Sequence, residues 1–254
     1  MRYTVAGPTV TARVATVLSA FDTAHNAMTL SEIARRTALP LTTVHRLTGE
    51  LTRHGLLERD QDHQFRIGLR LWEIASTASR AVDLREAALP YLQELYATTR
   101  ENVQLAVLDG LEAVYLDRLS GPESVHIVTR PGSRLPVHAS GVGLVLLAHA
   151  PIEVQDEVLA APLARFTRFT VTDPRRVRRT LADVRRDGYV ISDRQIETVS
   201  VSVAAPIRDR TRRVVAAVSV VVTVGRKDPR SFVKPVVGAA NAISSRLPIL
   251  PERP

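Results

Sequence analysis

A leucine–proline pair, Leu39–Pro40, interrupts two stretches of helical periodicity that would otherwise run together. Proline disfavours helix in the residue before it and suits the first turn of a helix after it, so "TLSEIARRTA" (29–38) and "LTTVHRLTGELTRHG" (41–55) must be separate helices joined by a very short turn. The first opens with Thr29, followed three residues on by Glu32, the spacing of a capping box. In the second, Leu41, Val44, Leu47 and Leu51 form an apolar stripe. At about 100° per residue, Thr42, Arg46, Gly49 and Arg53 fall on the opposite face with His45 beside them, and Gly55 is placed to end the helix.

An earlier helix is expected over 11–24, with Val14, Val17, Leu18 and Phe21 on one face. Downstream, "LLERDQDHQFRIG" (56–68) reads as two short strands around a polar turn. Three helices and a hairpin in this order make a winged helix-turn-helix, whose second paired helix enters the major groove. On that reading Arg46 and Arg53 can contact guanine or phosphate, and Thr42 and Thr43 a phosphate or a thymine methyl, with His45 alongside. Arg35 and Arg36, on the preceding helix, are placed for backbone phosphate, and Arg66 on the hairpin for the flanking groove. A polar helical stripe alone would equally mark a solvated face. Ala34, Val44 and Leu47 at the motif's interior positions, together with the hairpin, favour DNA. One local rule is broken: the turn position that often takes glycine is Ala38, at a cost of about 1 kcal/mol if the backbone there is left-handed.

The chain carries a net charge of +8, with 34 basic and 26 acidic residues, which is compatible with nucleic acid without proving it. Residues 1–82 hold 10 basic and 7 acidic side chains, so the excess is spread along the chain and pattern must decide the function. With no cysteine there is no disulfide framework, thiolate nucleophile or cysteine-ligated zinc. No apolar run approaches the ~18–20 residues of a membrane span, and "MRYTVAGPTVTARV" lacks the apolar core of a secretory signal, so a cytoplasmic protein is expected.

Helical patterns continue through 69–82, along which the domain boundary is placed, and 83–100, which should bend or restart at Pro90. From 102 the period becomes two. "NVQLAVLDG", "LEAVYLDRLSG" and "SVHIVTR" read as consecutive strands; 138–150, 152–161 and 173–188 read as helices. Strands follow at about 189–193, 199–207 and 213–224, then a helix at 229–246. The fold class is therefore α+β: a winged helix-turn-helix over 1–68, a linker helix over 69–83, and over 84–254 a second domain with a mixed sheet and helices.

At this level of detail the chain resembles the IclR family of bacterial transcriptional regulators, from about residue 10 to residue 247. "LSEIARRTALPLTTVHRLTGELTRHGLLE" is similar to that family's helix-turn-helix and "FRIGLRLWEIA" to its wing end and linker. "LPVHASGVG", "DGYVISD" and "VAAPIRDR" are similar to landmarks of its effector domain. The resemblance implies a GAF-like mixed α/β domain holding a small ligand, and a homodimer or dimer of dimers on a palindromic or repeated double-stranded DNA operator. It implies no cofactor and no metal.

Carried over residue by residue, the turn in "HASGVG" would offer the backbone N–H groups of Gly141 and Val142 to an acidic ligand. Independently, Ser140 is a good N-cap, and a helix start carries partial positive charge. The resemblance makes Asp193 a pocket acid and Ser219 a pocket hydroxyl, and puts Ser202 where many members have cysteine. Alternation sets Ser200, Ser202 and Ala204 on one strand face, so Ser202 can point inward. Leu144, Val221, Val199 and Val201 replace more polar or smaller residues of the family, which points to a larger, partly aromatic acid or amide.

Two rival functions are weaker. A hydrolase would need more than His138 beside Ser140, since "HASGVG" is not the G-x-S-x-G elbow and no third partner is identifiable. His126, His138 and His149 lack the i, i+4 spacing of a helical zinc pair. An architectural DNA-binding protein with a purely oligomerising second domain fits the pattern, but would show no ligand-dependent change in DNA affinity. The expected function is a ligand-responsive regulator, a repressor of a small-molecule catabolic operon.

Overall fold

The computed structural model describes residues 9–22, 24–77 and 79–248. The amino-terminal residues 1–8, part of the segment read for a secretory signal, lie outside the described residues, as do Thr23 and Ala78 within the expected helices 11–24 and 69–82. The chain divides into two units between Ser79 and Arg80, within the segment expected to be the linker.

In the first unit, α1 (Val10–Leu18) begins at Thr9, whose hydroxyl accepts the Ala12 N–H at 3.2 Å. Helix α2 (Leu30–Thr37) has the capping box its sequence spells. Glu32 N–H donates to Thr29 Oγ1 at 3.4 Å, and Thr29 N–H donates to Glu32 Oε2 at 2.8 Å. Ala38 then takes a left-handed conformation, φ 55°, and Pro40 starts α3 (Leu41–Arg53). Val44, Leu47 and Leu51 of α3 pack against Val17, Ile33, Met28, Leu57 and Phe65. Leu41, expected on the same stripe, is 51% exposed, because it precedes the first full turn that faces the core. Gly55, at φ 70°, turns the chain out of α3 into the antiparallel hairpin β1 (Leu57–Arg59) and β2 (Phe65–Ile67). Met28 N–H donates to Phe65 O at 3.0 Å and Phe65 N–H to Met28 O at 2.7 Å, so the wing is pinned to the entry of α2. Helix α4 (Leu69–Ala75) follows, shorter than the segment 69–82 suggested.

The second unit opens with α5 (Ser79–Thr99), which continues as one helix through Pro90. Pro90 lies on its exposed side. Leu84, Ala88, Leu92 and Leu95 form the buried stripe. The remaining elements are β3 (Asn102–Asp109), β4 (Glu112–Leu119), β5 (Arg134–Pro136), α6 (Gly141–Ala148), α7 (Ile152–Ala160), α8 (Pro174–Asp187), β6 (Val190–Asp193), β7 (Ser200–Arg208), β8 (Val214–Thr223), a 3-10 turn (Pro229–Phe232) and α9 (Val233–Arg246).

The six strands form one sheet in the order β5-β4-β3-β8-β7-β6. Every pair is antiparallel, where the sequence suggested a mixed sheet. The topology gives the reason. Adjacent strands β3–β4, β6–β7 and β7–β8 are joined by short turns, while the long crossover through α6, α7 and α8 links the two opposite edges, so no parallel neighbours arise. Helices α5 and α9 cover one face of the sheet, and α6 with α8 the other.

Residues 124–130, expected as a strand, form none. Side chains take the carbonyls a ladder would have used: Asn102 Nδ2–H donates to Val125 O at 2.7 Å and Arg118 Nη1–H to Thr129 O at 2.7 Å. The short strand β5 pairs with β4 instead.

Candidate effector pocket and DNA-facing helix

On α3, Thr42, His45, Arg46 and Arg53 are exposed and Thr43 is half-buried. Arg46 Nη1–H donates to Glu50 Oε1 at 2.9 Å, one turn along the same helix. Both partners are about half in solvent, so the pair stabilises by no more than a few tenths of a kcal/mol and releases Arg46 easily. Arg53 and Arg35 have no side-chain partner among the described residues. Arg66, on the wing, is held by Asp60 at 3.2 Å and is 52% exposed.

Arg36 has partners within its own domain. Its guanidinium turns inward to its own domain: Nε–H donates to Ala20 O at 3.0 Å, Nη2–H to Asp22 Oδ2 at 2.9 Å, and Nη1 lies 3.2 Å from His25 Nε2. Three contacts of this kind tie α2 to the turn after α1, so Arg36 is a fastener rather than a free cation. Arg35 and Arg36 are both exposed, and Arg35 is the one without such contacts.

The second site lies on the sheet face beneath α6. Register brings its parts together. Ser192 sits opposite Ser202, and Ser202 opposite Val221; in the adjoining row Ala204 sits opposite Ser219, and Ser219 opposite Gln104. Ser219 Oγ–H donates to Gln104 Oε1 at 3.2 Å, and Gln104 Nε2–H donates to the Thr129 hydroxyl. The Ser202 and Ser200 hydroxyls have no hydrogen-bond partner within the described chain.

Over this floor stands the start of α6. Ser140 is the N-cap, its Oγ accepting the Gly143 N–H at 3.1 Å. The N–H groups of Gly141 and Val142 have no acceptor within the described chain and border the same recess. A helix start carries partial positive charge, so these two donors form an anion- or carbonyl-binding corner. Gly141 is needed by packing: a Cβ there would stand 2.3 Å from Ser202 Oγ. Gly143 is needed more strictly, since its Cβ would meet the Val137 backbone at 2.6 and 2.7 Å.

Counted out to its open mouth, solvent included, the recess has an empty volume of about 420 Å³. It is bordered by Ser140, Gly141, Val142, Ser202 and Ser219, as the sequence suggested, and also by Gln104, Tyr115, Thr129, Ser192, Gln195 and Glu197. Burial pushes the Tyr115 phenol far above its ordinary pKa, against the opposing effect of its hydrogen bond with Ser140, so it is a neutral wall. Among the described residues, Glu197 is the one formally charged residue bordering the recess, and no lysine, arginine or histidine borders it. Burial raises the Glu197 pKa, while an N–H from Val128 pulls in the other direction.

Asp193 does not border this recess. It lies one residue out of phase, on the opposite face of β6, with its carboxylate held by Arg194 at 2.6 Å. The inward residue is Ser192, 5% exposed, which donates to Ala139 O at 3.3 Å. Strand parity in "VISD" carries this signal, since Val190 and Ser192 are buried and Asp193 is exposed. Gln104 was equally accessible to parity along β3, whereas Glu197 and Gln195 lie on a connection where no period operates.

His138, next to the N-cap, has Nε2 3.0 Å from Ala164 O, and burial lowers its pKa. Among the described residues no group of three histidines and carboxylates could hold a metal, and no helix is long and apolar enough to cross a membrane.

Comparison with known proteins gives these two sites a common context. Residues 10–61 match the IclR helix-turn-helix domain, and residues 76–245 match the bacterial transcriptional regulator IclR C-terminal domain. The chain is 33% identical over 195 residues to the HTH-type transcriptional regulator BhcR of Paracoccus denitrificans, spanning 76% of this chain and 70% of that protein. It is 30% identical over 241 residues to the HTH-type transcriptional repressor AllR of Klebsiella pneumoniae, spanning 93% and 89%. A crystal structure of an IclR homolog from Microbacterium hydrocarbonoxydans, complexed with 4-hydroxybenzoate, is 44% identical and superposes with a TM-score of 0.88, covering 92% of this chain and 97% of that one. The family and these relatives are regulators rather than enzymes. With both domain matches together spanning most of its length, the chain belongs to the IclR family of bacterial transcriptional regulators, DNA-binding proteins that respond to small molecules.

Proposed function

We propose that this regulator is a ligand-responsive repressor whose effector is a small aromatic acid or amide bound under α6. The observation that carries the reading is the pair of unpartnered N–H groups, Gly141 and Val142, at a recess whose floor holds the free Ser202 hydroxyl. Two donors at a helix start suit a carboxylate or carbonyl oxygen. Ile127, Leu135 and Val221, also at the recess, suit a ring. The 4-hydroxybenzoate complex of the 44% identical homolog supports an aromatic acid, and the repressor AllR supports the sign of regulation.

On DNA, α3 lies in the major groove with Thr42, Thr43, His45, Arg46 and Arg53 facing the bases and backbone, Arg35 reaching phosphate and Arg66 the flank. The protein acts in the cytoplasm as a homodimer or dimer of dimers. A two-fold assembly fits palindromic or repeated half-sites roughly 34–36 Å apart, or a multiple of it. Apolar side chains on α4, Leu69 at 62%, Trp72 at 67% and Ile74 at 53% exposure, are what a second copy would cover. The domain limits that go with this reading are 1–68, 69–83 and 84–254.

The test is a titration of the gene's own promoter DNA with and without 4-hydroxybenzoate and related acids and amides. A ligand shifts DNA affinity only as far as it binds one arrangement of the domains better than the other. A coupling of about 1–3 kcal/mol, roughly 5- to 150-fold in DNA affinity, is expected. Unchanged affinity with a ligand that demonstrably binds would make the second domain a purely oligomerising one.

A further inference from the structure

The recess has a polarity that its bordering residues define. Its inner end, at Gly141 and Val142, is buried and presents two backbone donors. At its mouth, Val128 is 59% exposed, and its N–H is accepted by the carboxylate of Glu197. Glu197 thus sits near the opening, as an acceptor that a ligand reaching outward from the inner end would meet.

We propose that Glu197 is a specificity-determining residue, selecting effectors that seat a carboxylate or carbonyl oxygen on Gly141 and Val142 and present a hydroxyl or amide N–H to its carboxylate. The proposal rests on the effector reading of this recess given above. Charge makes the selection sharp. No cation among the described residues borders the recess, so a ligand anion is balanced there by the helix start, whose partial charge is about half a unit. A second ligand carboxylate would face Glu197 and be repelled, and an apolar end would leave the mouth carboxylate with the Val128 N–H alone. A donor there makes a charge-assisted hydrogen bond. The effector class is therefore an aromatic acid or amide carrying a distal hydrogen-bond donor.

The experiment is calorimetric titration of the full-length protein with four probes: 4-hydroxybenzoate, 4-hydroxybenzamide, benzoate and benzene-1,4-dicarboxylate. Wild type should bind both hydroxylated probes about 10- to 150-fold more tightly than benzoate, the range of a hydrogen bond to a charged group at 1.4 kcal/mol per tenfold. The dicarboxylate should bind most weakly. Glu197→Gln keeps an acceptor for Val128 but removes the charge. It should shrink the preference for 4-hydroxybenzoate over benzoate and strengthen dicarboxylate binding. Glu197→Ala removes the carboxylate that an apolar end leaves poorly partnered, so it should bind benzoate at least as tightly as wild type and lose the hydroxyl preference, with a wild-type urea unfolding curve showing that the domain is folded. If 4-hydroxybenzoate binds and its preference over benzoate survives in both variants, the Glu197 assignment is overturned while the effector reading stands. If no probe binds wild type, both fall together.

Discussion

Helix α3 uses one stripe, Val44, Leu47 and Leu51, for the core and leaves Thr42, His45, Arg46 and Arg53 in solvent, whereas all eight residues of α6 are buried. The first can recognise with its side, through long side chains held only by weak exposed partners such as Glu50. The second has no free side to offer, so its recognition chemistry is confined to its end, in backbone donors that packing has already oriented. Reaching a base edge requires length and a change of partner. Holding a small ligand requires groups that do not move when it arrives. On the proposed function, the two helices divide these requirements between them.

The largest expected effect tests the end of α6. Gly141→Val places a side chain where a single Cβ would already stand 2.3 Å from Ser202 Oγ, and it should abolish the response to 4-hydroxybenzoate in a DNA-binding titration while basal DNA affinity survives. Gly143→Ala separates ligand geometry from folding. Its Cβ would press on the Val137 backbone as well as on the Ser140 cap hydroxyl, and backbone cannot rotate away, so it should destabilise the effector domain by about 1–3 kcal/mol in urea unfolding. A Gly141→Val protein that responds like wild type would place the effector elsewhere and remove α6 from the comparison.

Next comes the side of α3. Arg46→Ala should weaken operator binding by ~1–3 kcal/mol if the contact is to a base, because the Glu50 pair it gives up is exposed and weak. Arg36→Ala should behave in the opposite way. Losing its bonds to Ala20 and Asp22 should lower the thermal stability of the DNA-binding unit, with little change in the salt dependence of DNA affinity. Should Arg36→Ala change the salt slope by about one phosphate contact, its inward position would not persist on DNA.

What the sequence made readable follows the same division. The stripe of α3 repeats over thirteen residues, and the capping box at Thr29 and Glu32 and the N-cap at Ser140 are local, so period and spacing sufficed. Segment 124–130 misled because it alternates like a strand, while its carbonyls are taken by the side chains of Asn102 on β3 and Arg118 on the preceding β4. Asp193 was implied by the resemblance, whereas strand parity makes Ser192 the inward residue. The pairing of Gln104 with Ser219 joins positions far apart in the chain, and only sheet order supplies it. Arg36 could not be told from Arg35 by spacing alone, since both stand at the end of the same short helix and the acceptors Ala20 and Asp22 are tertiary partners.

The smallest effect concerns how each helix is launched. Helix α6 starts from Ser140, an unstrained cap that satisfies the Gly143 N–H. The turn that leads into α3 runs instead through Ala38 at φ 55°, a conformation costing an alanine about 1–2 kcal/mol. Replacing it by glycine removes that strain but gives the unfolded chain more freedom, worth about 0.4–1 kcal/mol in the other direction. The net for Ala38→Gly is therefore a stabilisation of about 0–1.6 kcal/mol, centred near 0.8 and confined to the DNA-binding unit. Amide hydrogen exchange in the full-length protein should show slower local opening across α2 and α3, with unchanged protection in the sheet and unchanged binding of 4-hydroxybenzoate. If α2 and α3 instead exchange faster, the left-handed turn is not strained. The platform for α3 would then be as relaxed as that of α6.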